Sequence, residues 1–238
     1  MRLDQRANDQ LRPIDIIMDY QKHAGGSCLI ACGNTRVICA ANVEEGVPPF
    51  LEGKGQGWVT AEYGMLPGST PGRKRRDGLK QDGRGVEIQR LIGRSLRTVV
   101  DMQALGAYTV RVDCDVLDAD GGTRTASITG AWCALHALFA KMVARGQLSA
   151  IPLKGQLAAV SCGLVDQEPR LDLCYQEDSH AQADVNIVMT SEPAIVEIQG
   201  TGEQRAFSRT ELQELLNLAE KGIQELFVQQ RRAVEEKV

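Results

Sequence analysis

Between residues 108 and 131 the chain reads YTVRVDCDVLDADGGTRTASITGA, and two structural periods meet in it. Over 108–116 the residues alternate strictly, with Tyr108, Val110, Val112, Cys114 and Val116 on one face and Arg111, Asp113 and Asp115 on the other. That is the period of a half-buried strand. The strand runs through Asp118-Ala119-Asp120-Gly121-Gly122-Thr123-Arg124 into a segment where Ile128, Ala131, Trp132, Leu135, Leu138 and Met142 make a broad apolar helical face. The order is strand, glycine turn, helix.

Upstream, Gly33-Asn34 between the apolar runs 28–32 and 37–41 predicts a β-hairpin that starts the fold. Residues 58–63 read as a third strand. Residues 67–85 concentrate Gly, Pro, Lys and Arg, which builds a loop and not a core. Ile88, Leu91, Ile92, Leu96, Val99 and Val100 then recur at helical spacing over 86–101. Downstream, short strands are predicted at 156–165, 170–175, 184–190 and 194–199. Ser208-Arg209-Thr210-Glu211 fits a capping box that opens a terminal helix through Leu212, Leu215, Leu216, Ile223 and Leu226. Neither an internal repeat nor a linker interrupts the pattern, so we expect one α+β domain over residues 1–238.

The 238 residues are 43% apolar and 4% aromatic, enough for a sizeable core and unlike a disordered or disulfide-stapled chain. The net charge of −4 gives no global positive field, so any nucleic-acid site must be local. No window approaches ~18 uninterrupted apolar residues and the N-terminus has no apolar stretch of signal-peptide kind, so a cytoplasmic protein without a membrane segment is expected. The seven cysteines include no C-x-x-C pair, and most sit in apolar runs, which predicts reduced, buried thiols. His23, His136 and His180 have no second His or Cys at ligand spacing, so a zinc site is not expected.

Three features carry chemistry. At Asp120-Gly121-Gly122-Thr123-Arg124-Thr125, free backbone N–H groups at a helix start, two glycines and a forked cation suit a phosphate or phosphodiester. The stretch lacks the G-x-x-x-x-G-K-[ST] and G-x-G-x-x-G patterns of familiar nucleotide sites. Asp113, Asp115, Asp118 and Asp120 fail as a calcium loop in either register, which leaves them a supporting role. Between 73 and 97 stand nine basic residues against three acidic ones. Within them Arg73, Lys74, Arg75 and Arg76 form a cluster past which a single-stranded polyanion can thread, with few aromatics for stacking. Finally, Glu177-Asp178 and Asp184 flank a strand start around His180, where two carboxylates could hold Mg²⁺ or donate a proton.

Taken together, Gly33-Asn34-Thr35-Arg36-Val37, GWVTAEYGMLP at 57–67, EIQRLIGRSLR at 87–97, DCDVLDADGGTRTASITGA at 113–131, EDSHAQADVNIVMT at 177–190 and EIQGTGEQRAFSR at 197–209 resemble the ribonuclease PH family, in one order over nearly the whole chain. The resemblance implies a β-α fold like the second domain of a small-subunit ribosomal protein, assembled as a homohexameric ring of three dimers. It implies a phosphorolytic 3′→5′ exoribonuclease that trims the 3′ trailer of tRNA precursors, uses inorganic phosphate to release nucleoside diphosphates, runs in reverse, and extends to other RNA with free 3′ ends, ribosomal RNA among them. Arg84, Gly122, Thr123 and Arg124 match the family's phosphate-binding residues. Asp178 and Asp184 match its acidic pair, assigned to Mg²⁺ or to acid chemistry at the leaving oxygen. Gln5 stands in Arg2-Leu3-Asp4-Gln5-Arg6 where the family's R-x-D-G-R opening has glycine. The competing expectation is a catalytically silent RNA-binding ring subunit of exosome type, which would have no reason to keep both the anion residues and the acidic pair. Polynucleotide phosphorylase, a third option, needs a second core copy for which the chain has no room.

Overall fold

The computed structural model describes residue 2, residues 4–76 and residues 82–236. Five strands form a first sheet: β1 (Ile14–Met18), β2 (Gly26–Cys32), β3 (Thr35–Glu45), β4 (Trp58–Met65) and β5 (Tyr108–Asp118), in the order β1-β2-β3-β5-β4. All pairs are antiparallel except β4 with β5. That pair needs a crossover, and α1 (Gly83–Val99) and the short α2 (Met102–Leu105) lie within it. The glycine turn leads from β5 into α3 (Thr123–Ala144).

A second sheet follows, with β6 (Leu157–Val165), β7 (Glu168–Leu171), β8 (Ala183–Thr190) and β9 (Ile195–Thr201) in the antiparallel order β7-β6-β8-β9. Between β7 and β8 lies α4 (Tyr175–Asp178), and α5 (Arg209–Glu235) closes the chain. Every residue of β6 is buried because both faces of the strand are covered. Leu157 and Ala159 join the core around α3 and the first sheet, while Ala158, Val160, Cys162 and Leu164 pack with Leu215, Ile223 and Phe227 of α5. α3 therefore lies between the two sheets and is apolar nearly all round for that reason. It is long and apolar enough by composition to cross a membrane, yet 72% of its most apolar window is buried inside the protein, as a core helix is.

The Gly33-Asn34 hairpin, the 108–116 alternation and the Ser208–Glu211 capping box all form as the sequence predicts, the last with Ser208 N–H donating to Glu211 Oε2 (2.7 Å). Three features differ. β1 precedes the hairpin and pairs along β2, a five-residue edge strand whose Ile17 is exposed and whose alternation is too short to read. α1 begins at Gly83, three residues early, because the Asp82 side chain accepts from Arg84 N–H and caps it. The predicted strand at 170–175 is instead β7 at Glu168–Leu171. Asp172 takes φ +53°, which ends that strand and sends the chain into α4. All seven cysteines are free, six of them buried and Cys174 half-buried.

Candidate active site

Gly121 and Gly122, at φ +77° and +67°, make the turn between β5 and α3. A Cβ on Gly121 would stand 2.6 Å from Leu173 O and 2.8 Å from Cys174 C, so only glycine lets this turn lie against the segment that leads to α4. The turn's carbonyls face inward and are held there. Thr35 Oγ1 donates to Gly121 O (2.6 Å) and Arg12 Nη1 donates to Asp120 O (2.6 Å). The Asp120 carboxylate accepts from Tyr175 N–H (3.1 Å) and from Asn34 Nδ2 (3.1 Å), the supporting role expected of it. No side chain caps the start of α3. Its first N–H groups, which no helical carbonyl can reach, are left for an anion.

The turn opens into a cleft of about 2340 Å³, lined among others by Arg84, Gly122, Thr123, Arg124, Asp178 and Asp184. Thus the structure brings together the four residues expected at phosphate and the two expected carboxylates, although 54 positions separate Arg124 from Asp178. Arg124 is not a free surface cation. Its Nη1 donates to Gln199 Oε1 (2.8 Å) and meets Glu87 Oε1 at 3.4 Å, which fixes the guanidinium between α1 and β9. Arg84 is exposed on the first turn of α1, and its charge reaches both Tyr63 and Asp178.

Asp178 ends α4 and Asp184 opens β8. Desolvation in the cleft pushes the Asp178 carboxyl up; Arg84 and Arg124 pull it back, Glu203 adds to the rise, and the net shift is upward. Asp184 also rises, by burial first and then by the like charges of Asp178 and Glu203, with Arg124 opposing. Two carboxyls that bind protons more readily than usual, next to two arginines, suit proton transfer beside an anion. Glu177 takes no part in this. Its carboxylate is buried and accepts from Arg2 Nε (2.8 Å) and Nη2 (2.7 Å). His180 is exposed, and among the described residues its ring meets the nearby Ser179 Oγ and Gln176 O.

Sequence reasoning missed the scaffold under the site. Arg2, Arg6, Arg12 and Arg170 are buried around Asp172 and Glu177, with Arg12 Nη2 to Asp172 Oδ1 at 2.7 Å. Burial pushes the Asp172 carboxyl up, but pairing with Arg12 outweighs it and holds the group below the usual carboxylate range. One network thus anchors the glycine turn through Arg12 and the acidic helix through Arg2. Gln5, in its opening turn, takes φ +64°, a conformation that glycine adopts without strain. Nothing in a sequence distinguishes these arginines from surface cations until their partners are known. Of the basic cluster, Arg73, Arg75 and Arg76 are exposed, and Lys74 Nζ meets Asp82 Oδ2 at 3.5 Å. They follow the cleft-lining residues Gly68–Gly72 without lining the cleft themselves. Lys80, counted in the same patch, lies outside the described residues.

Comparison with known proteins agrees with this architecture. Residues 10–139 match the model of the 3′ exoribonuclease family, domain 1, and residues 155–222 match that of domain 2. Ribonuclease PH of Neisseria meningitidis serogroup C is 58% identical over 231 residues, covering 96% of each chain, and that of serogroup B is equally similar. Among solved structures, a chain of an Archaeoglobus fulgidus exosome with RNA bound to the active site superposes with a TM-score of 0.81 at 24% identity, covering 94% of this chain and 91% of that one. An archaeal exosome core chain gives 0.79 at 22%, covering 97% and 91%. The archaeal likenesses establish the fold, and with the near-complete match to the bacterial enzymes, this chain belongs to the 3′ exoribonuclease family, in its ribonuclease PH branch.

Proposed function

We propose that the cleft carries out phosphorolysis of RNA 3′ ends, trimming the trailer of tRNA precursors and running in reverse as a nucleotidyltransferase. The family's 3′ exoribonuclease activity fixes the reaction class, and the residues assign the parts. Inorganic phosphate sits at the start of α3, held by Gly122 and Thr123 and by the forks of Arg84 and Arg124. A phosphate oxygen forms a bond to phosphorus of the terminal phosphodiester while the bond to the departing 3′ oxygen breaks. A nucleoside diphosphate leaves. The departing oxygen takes a proton that Asp178 or Asp184 can supply, since both carboxyls titrate above their usual range. Much of the catalytic work is neutralising and aligning two anions before they meet.

Asp178 and Asp184 also fit Mg²⁺. Their charges are close enough for Asp178 to raise Asp184, and among the described residues no group of three or more ligating side chains forms. Two carboxylates plus waters is the donor set Mg²⁺ accepts most readily. Bound there, it would neutralise charge at the scissile phosphate. Arg73, Lys74, Arg75 and Arg76 guide the incoming strand. A homohexameric ring of three dimers is supported by apolar side chains exposed on edge strands, Ile17 of β1 and Ile195 and Ile198 of β9. A cytoplasmic setting is supported by seven unpaired thiols.

The observation that carries this reading is the meeting of Arg84, Thr123 and Arg124 with Asp178 and Asp184 in one cleft. Incubating the protein with a tRNA bearing a short 3′ extension, with and without inorganic phosphate, tests it. Nucleoside diphosphates released only when phosphate is present are expected; monophosphates released without it would overturn the reading.

A further inference from the structure

Tyr63 lies on β4 with its ring buried in the core beneath the cleft. Its phenolic oxygen stands 2.8 Å from Thr123 Oγ1, at the first residue of α3. A buried tyrosine hydroxyl seeks a partner, and this one has found the side chain assigned above to phosphate. Among the described residues the Thr123 hydroxyl has no second partner, and Thr123 lines the cleft, so its remaining capacity faces the phosphate position.

We propose that Tyr63 is a positioning residue for the phosphate co-substrate, holding the Thr123 hydroxyl with its proton turned into the cleft. The inference rests on the phosphate-binding role of Thr123. A hydroxyl has one proton to give. If Thr123 gave it to Tyr63, a lone pair would face the incoming anion and repel it. With Tyr63 as the donor, Thr123 accepts from below and donates to a phosphate oxygen above, a chain in which each bond polarises the next. The surroundings allow that direction. Burial keeps the phenol protonated, and so able to donate, against the lowering effect of its hydrogen bond with Thr123 and of the charges of Arg84 and Arg124. Tyr63 therefore acts through Thr123, touching neither RNA nor phosphate.

Tyr63→Phe tests this while keeping the ring that fills the core. The expected result is a rise of roughly three- to tenfold in the KM for phosphate, the net worth of one neutral hydrogen bond, with the KM for RNA unchanged and the melting temperature lowered by no more than the few degrees that one bond is worth. Protection of the protein against thermal unfolding by added phosphate should weaken by the same factor, a readout independent of turnover. Adding Tyr63→Phe to Thr123→Val should change nothing further, since the bond is already gone. If Thr123→Val weakens phosphate binding and Tyr63→Phe does not, the positioning role is overturned and the phosphate site stands. If Thr123→Val has no effect on phosphate, the assignment of Thr123 falls and this inference with it. A Tyr63→Phe variant in which both KM values and the melting temperature shift together would show a packing role only, which also overturns the proposal.

Discussion

The chemistry proposed for Asp184 comes at a cost in stability. Its carboxyl is pushed up by burial and by the charges of Asp178 and Glu203, so the folded state prefers the protonated form. For a group raised on folding, the stabilising contribution is present below its unfolded value, near 3.8, and is lost as pH rises through the folded one. The ionised form of Asp184 therefore works against the fold. Asp184→Asn removes that charge at constant size, and we expect it to abolish turnover, spare RNA binding and raise the melting temperature. Calorimetry beside a single-turnover assay checks this; a lower melting temperature, or a near-normal rate at every magnesium concentration, would remove Asp184 from the site as described. Asp172 has the opposite sign. Its carboxyl is depressed because pairing with Arg12 outweighs burial, so its contribution is present above the unfolded value, again near 3.8, and is lost as pH falls through the folded one.

The glycine turn and the basic loop carry the predictions at the scale of elements. Gly121→Ala puts a side chain into a left-handed turn and against Leu173 O at 2.6 Å. Strain and overpacking together should cost about 2 kcal/mol or more, and the displaced turn should lose phosphate affinity. Denaturant unfolding and phosphate KM check this, and a variant with both unchanged would contradict the packing described. Neutralising Arg73, Lys74, Arg75 and Arg76 together should weaken binding of long RNA and flatten its dependence on salt, with less effect on a very short substrate. An unchanged salt slope would make the cluster an ordinary solvated loop. Much of this was legible before the fold was known. The alternation at 108–116, the Gly33-Asn34 turn and the Ser208–Glu211 box are local patterns, and each formed. What escaped is non-local. β1 is held by its pairing with β2, and Arg2, Arg12 and Arg170 are buried because carboxylates 160 or more residues away, or across a loop, receive them. Tyr63 and Gln199 stood in quoted motifs, but only their contacts with Thr123 and Arg124 show what they touch.

For the whole molecule, α3 joins what its two family domains divide. Leu157, Ala159 and Val188 of the second sheet belong to the same core as Ile30, Val112 and Cys114 of the first. Gln230 of α5 donates to Thr129 O in α3 (3.0 Å) and to Leu157 O in β6 (2.9 Å). We propose a single folding unit on that basis and expect one cooperative unfolding transition; two separate calorimetric transitions would argue for independent domains. The assembled fold has one purpose in this account, to hold phosphate at the start of α3 opposite Asp178 and Asp184 so that phosphate, and not water, attacks the RNA. Isotope labelling tests that most directly. With phosphate carrying ¹⁸O in ordinary water, nucleoside diphosphates whose β-phosphoryl group carries the label are expected. The converse experiment, ordinary phosphate in H₂¹⁸O, should give unlabelled products, and nucleoside monophosphates carrying oxygen from the water would contradict it.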